Sequence, residues 1–152
     1  MVTFRQPTTD KARLAEAERI HHAWNAALEA KDTEAAAALY AEDASIESPL
    51  IRYLLGTDEG IVSGRAAIRE FLPIVFRYQP EERRTYRNSV FTDGETLMWE
   101  YPRATPDGDQ MDFVEVMQFR DGLIQRHRVY WGWFGVQTLT TGSHGRWAET
   151  LL

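Results

Sequence analysis

The chain has no cysteine. Disulfides, thiolate nucleophiles and cysteine-ligated metals are therefore excluded. It has no excess of positive charge either: 17 Lys and Arg stand against 23 Asp and Glu, for a net charge of −6 and a pI of about 5.2. A nucleic-acid partner would favour a basic stripe. The short clusters Arg83-Arg84 and Arg126/Arg128 lie beside acids, as solvated faces do. No run approaches the roughly 20 apolar residues of a membrane span, and the N-terminus lacks the apolar stretch of a signal peptide. These absences predict a soluble, cytoplasmic protein without a membrane partner. The four histidines, at 21, 22, 127 and 144, show no ligand spacing, and Gly142-Ser-His-Gly145 does not connect a strand to a helix. No metal, dinucleotide or other cofactor is expected.

Apolar residues make up 43% of the 152, enough for one folded domain over 1–152, with a core at about 10–135 and a C-terminal tail at 136–152. Five Trp, six Tyr and seven Phe can fill a core, line a pocket or cover a dimer face. Asp10 reads as a helix N-cap, and Leu14, Ala17, His21, Trp24 and Leu28 follow at helical spacing. Asp32 caps a second short helix running to Tyr40. Ala44 to Ser48 reads as a strand ended by Pro49, and 50–63 as a loop at the mouth of any pocket. A third helix carries Ile68, Phe71, Leu72, Val75 and Phe76 on one face, with Pro73 expected to kink or split it. Tyr86–Phe91 and Thr96–Tyr101 read as strands around an Asp93-Gly94 turn. A loop from Pro102 to Asp109 leads to a hairpin over 112–135 with Asp121-Gly122 at its turn. Helices and strands in separate blocks predict an α+β fold.

Strand alternation puts Phe113, Glu115, Met117 and Phe119 on one face, so Glu115 is a carboxyl in an apolar row. It finds a partner, stays protonated or faces a cavity. On the next strand Arg128, Tyr130 and Gly132 share one face; His127, Val129, Trp131 and Trp133 share the other. Aromatics on both faces predict a homodimer through the sheet, unless the tail, with Trp147, covers the second face. His127 is then an interface or surface residue.

The segments Trp24–Asp32, Ala38–Pro49, Gly64–Phe71 and Val114–Tyr130 together resemble the nuclear-transport-factor-2-like superfamily, especially the SnoaL-like polyketide cyclases and ketosteroid isomerases. The resemblance implies a cone-like barrel, a strongly curved antiparallel sheet around three N-terminal helices, with an apolar cavity. It places Glu115 where ketosteroid isomerases hold the protonated acid of their oxyanion hole. It also marks departures. The isomerase base corresponds to Ser48, the oxyanion-hole tyrosine to Trp24, and an aspartate common in relatives to Gly132.

The expected catalytic pair is Glu115, as acid or hydrogen-bond donor, and His21, as base near neutral pH. Glu115 read instead as structural would pair with Arg128 or Tyr130; His21 read as structural would be a satisfied core residue. The expected cavity lining adds Trp24, Tyr40, Ser48, Phe71, Phe113, Met117, Arg128 and Tyr130. Glu100 reads as a solvated glutamate at a sheet edge. Such a cavity suits a hydrophobic small molecule. The expected activity is cofactor-free isomerisation, cyclisation or dehydration of a carbonyl-bearing ring compound. The alternatives are a non-catalytic ligand-binding module and a dimeric interaction domain.

Overall fold

The computed structural model describes residues 2–79, 84–85, 89–104 and 110–141. Arg83, His144 and Trp147, and with them the expected docking of the tail, lie outside these residues. Helix α1 (Lys11–Ala30) starts as its sequence dictates: the Asp10 carboxylate accepts hydrogen bonds from the amides of Ala12 and Arg13. Its buried stripe is Ala17, Ile20, Trp24, Ala27 and Leu28, which leaves His21 half-buried at the edge. Asp32 caps α2 (Thr33–Ala37) through the amide of Ala35.

Strand β1 (Tyr40–Glu47) begins earlier than expected, with Tyr40 inside it. The region read as a loop contains α3 (Pro49–Leu55) and β2 (Ile61–Ser63). Pro49 opens a helix rather than only ending a strand. The Ser48 hydroxyl caps that helix by accepting from the Leu50 amide, and proline suits a first turn that needs no amide donor. Helix α4 (Arg65–Arg77) runs unbroken through Pro73. The remaining strands are β3 (Arg84–Thr85), β4 (Ser89–Thr92), β5 (Thr96–Ala104), β6 (Gln110–Arg120) and β7 (Leu123–Trp131), followed by α5 (Trp133–Thr141).

The seven strands form one sheet in the order β2-β1-β7-β6-β5-β3, with β4 also on β5. All pairs are antiparallel except β1 with β7, which is parallel. This is the α+β, cone-like arrangement, with the helices on the inner side of a curved, unclosed sheet. The inner face carries Leu97, Trp99 and Tyr101 from β5, Met111, Phe113, Met117 and Phe119 from β6, and Ile124 from β7. These pack against Ile20 and Trp24 of α1 and Ile68, Phe71 and Leu72 of α4. No helix among the described residues is long and apolar enough to cross a membrane.

The β6–β7 hairpin decides what faces the cavity. Its turn is as expected, with Asp121 and Gly122 at φ 54° and 75°. Phe119 faces Ile124, but Gln118 faces Arg126, so Gln125 has no opposite number. This β-bulge reverses which side chains of β7 share a face with Glu115. Glu115 stands opposite Val129, and Met117 opposite His127. Without the bulge Arg128 and Tyr130 would face inward; with it they face outward.

Candidate active site

Glu115 projects from the middle of β6 toward α1 and is 3% exposed. Trp99 and Val129 flank it across the sheet. Tyr101 and His127 sit diagonally, within reach of long side chains. Trp24 Nε1–H donates to Glu115 Oε2 at 2.9 Å. Tyr101 O–H donates to Oε1. His127 Nε2 lies 2.9 Å from Oε2, and its Nδ1 lies 2.7 Å from the hydroxyl of Tyr40. The chain Tyr40–His127–Glu115 is thus buried from end to end, with Tyr40 and His127 at 0% and 1% exposure.

The donor inventory fixes the protons. An indole can only donate. The carboxylate accepts from Trp24, Tyr101 and His127 Nε2–H, and His127 Nδ1 accepts from Tyr40. A proton held on Glu115 instead, with His127 in its Nδ1–H tautomer, would reverse the last two bonds. The buried Tyr40 hydrogen would then have no acceptor among the described residues. Burial, and secondly the charge of Glu115, hold the Tyr40 hydroxyl well above its ordinary 10.0, so it stays a donor. A buried carboxylate is costly unless hydrogen-bonded, and three donors offset that cost.

A mainly apolar cavity of about 80 Å³ opens beside this network. Trp24, Ser48, Phe71, Phe113 and Glu115 line it, and so do Tyr101, His127, Trp131 and Gln79. Ser48 Oγ is spent within the protein, accepting from the Leu50 amide and from Trp131 Nε1 at 3.3 Å. Leu50 also lines the cavity.

Several expected positions are corrected. His127 is not a surface or interface residue; the bulge turns it inward onto Glu115. Arg128 and Tyr130 do not line the cavity, and Tyr130 is half exposed on the outer sheet face. Tyr40 and Met117 are buried, Tyr40 behind His127 and Met117 opposite it on β6, and neither lines the cavity. His21 lies outside the lining too, its ring edge-on to Trp99 at 5.0 Å. Desolvation, then His22, lower its pKa from the ordinary 6.5, against a smaller raising effect of Glu115. Glu100 is exposed, but on the inner strand β5 between β4 and β6 rather than at a sheet edge.

Sequence reasoning missed Tyr101 and His127. Tyr101 was within reach, because alternation aligns it with Leu97 and Trp99 on an apolar face. His127 was not, because nothing in Leu123–Arg126 announces the bulge.

At Gly132, the position the resemblance marks as an aspartate, the space is not simply empty. The Asp112 carboxylate occupies the space that a Cβ at Gly132 would need. Asp112 Oδ1 there accepts from the amide of Gly135 in the first turn of α5, at 3.0 Å.

The model of the SnoaL-like domain matches residues 21–127. The chain belongs to the SnoaL-like family. No curated protein matches it in sequence. Among solved structures, a nuclear-transport-factor-2-like protein of unknown function from Burkholderia pseudomallei superposes with a TM-score of 0.66 at 18% identity, covering 83% of this chain and 98% of its own. A SnoaL-like protein of unknown function from Burkholderia thailandensis gives 0.64 at 20%, covering 83% and 99%. TerC, co-crystallised with polyporic acid, gives 0.64 at 19%, covering 82% and 97%. At these identities the likeness shows the fold of this SnoaL-like chain.

Proposed function

We propose that this SnoaL-like protein is a cofactor-free acid–base enzyme acting on a hydrophobic, carbonyl-bearing ring compound by isomerisation, cyclisation or dehydration. The observation that carries this reading is one carboxylate, gripped by Trp24, Tyr101 and His127, at the wall of an apolar cavity. Glu115 takes the proton from a carbon next to the carbonyl and returns it to another carbon or to a leaving oxygen. The carboxylate acts as acceptor rather than as the protonated donor of an oxyanion hole, because both its oxygens already accept. His127, backed by Tyr40, holds the carboxylate in place. His21 takes no part.

The ligand-free cavity is smaller than the roughly 300 Å³ and upward of pockets that hold drug-sized molecules. Binding a ring compound therefore requires lining side chains to move apart.

The test is a screen of ring ketones with wild type and Glu115→Gln. The expected result is a loss of turnover of about 10²-fold or more in the variant, as for removal of a positioned base. Unchanged turnover would rule this mechanism out. A second reading, a non-catalytic binding module, is favoured by one observation: each carboxylate oxygen of Glu115 and the hydroxyl oxygen of Ser48 already accept from protein donors. It predicts that cavity ligands raise the melting temperature but are never converted. In either reading the protein works as a homodimer through the outer sheet face.

A further inference from the structure

One polar group on a residue that lines the cavity is left over. Gln79 lines it together with Glu115, yet Gln79 Oε1 is shut off from water and meets no donor among the described residues. Buried acceptors are normally paired, and an orphan costs stability.

Two helices fix the backbone that carries this amide. The Gln79 N–H donates to Phe76 O near the end of α4, at 3.4 Å. The Gln79 carbonyl accepts from Lys31 Nζ, also at 3.4 Å. Lys31 ends α1 in a left-handed conformation, at φ 53°. The same helices line the cavity through Trp24 and Leu28 of α1 and Phe71, Leu72, Val75 and Phe76 of α4. Glu115 is tied to Trp24; Gln79 is tied to Lys31, about two turns further along α1. The two residues are therefore held at different levels of α1.

We infer that Gln79 is the second polar anchor of the ligand. The ring compound that fills the cavity carries a hydroxyl or N–H remote from its carbonyl, and this group donates to Gln79 Oε1. The inference rests on the proposed ring-carbonyl site and narrows its substrate class to hydroxylated or amino-substituted ring ketones.

The test uses two probes that differ only in that donor, 6-hydroxy-1-tetralone and 1-tetralone, titrated calorimetrically into the full chain. Wild type should bind the hydroxylated probe about tenfold more tightly, roughly 1.4 kcal/mol. Gln79→Leu should bring the ratio to within about twofold without weakening 1-tetralone, and should raise the melting temperature of the ligand-free protein by removing the orphan acceptor. A better-folded variant with poorer discrimination is a pair of changes that a merely structural glutamine would not give. Gln79→Met, unbranched and of similar length, repeats the measurement if leucine disturbs the fold. Equal binding of both ketones to wild type, or a ratio that survives both substitutions, overturns the anchor and leaves the site reading standing. If neither ketone binds wild type, the ring-ketone reading falls and the anchor falls with it.

Discussion

His21 and His127 show how packing against aromatic rings differs from burial within a hydrogen-bonded network. His127 has a hydrogen-bond partner on each ring nitrogen. His21 packs on Trp99, and desolvation is the largest influence on it. Its folded pKa lies below the ordinary 6.5, so the folded protein binds this proton less readily than the unfolded chain. Stability from this group is full above about pH 6.5 and is lost as pH falls through that value toward the folded one. His21→Gln, which cannot titrate, should flatten that acid limb. Urea midpoints for wild type and variant at about pH 7.5 and about pH 5.5 measure it. Equal pH dependence in the two proteins would remove desolvation of His21 as the cause. At this scale Glu115 was legible because strand alternation needs only its own strand. Its partner was not, because register with β7 depends on Gln125, and a bulge residue carries no mark of its own.

Elements were legible where their caps are local. Asp10 and Asp32 precede the helices they cap, and both helices start where the sequence says. Ser48-Pro49, with Gly56 in a left-handed conformation at φ 63°, frames α3 in the same way, but seven residues are too few for periodicity to speak. Helix α5 is different. Its N-terminus follows Gly132, which has no side chain, and the capping carboxylate comes from Asp112 on β6, 3.0 Å from the Gly135 amide. A cap twenty-odd residues upstream cannot be read from local sequence. It also explains the glycine: any side chain at 132 would collide with the carboxylate that does the capping. Asp112→Ala should cost about 1 kcal/mol, as for loss of an N-cap, and Gly132→Ala should mimic it by displacing the carboxylate. Both should speed hydrogen exchange at the amides of 135–140 while leaving β6 and β7 protected. Unchanged exchange in α5 would show that the cap contributes nothing.

Among the described residues the helices cover one side of the sheet. A sheet with helices on its inner face normally presents polar side chains outward. Here the register lines up Phe91, Met98 and Val116 across β4, β5 and β6, with Val114 beside Tyr130. Phe91, Met98 and Tyr130 are 61%, 40% and 50% exposed. Glu100 on β5 and Arg126 and Arg128 on β7 flank this patch on opposite sides of β6. A two-fold axis through β6 would lay β5 of one copy over β7 of the other, bringing each copy's glutamate to the arginine side of its partner. In such a dimer hydrophobic burial would supply the affinity and the charges would set the register. Sedimentation equilibrium should therefore give twice the 17.5 kDa of one chain. Val116→Glu places like charges at the centre of the two-fold interface and should give a monomer with its helix and strand signal intact. Met98→Leu should remain a dimer. A wild-type monomer at tens of micromolar would overturn the arrangement, and would leave the outer aromatics to be covered by another part of the chain.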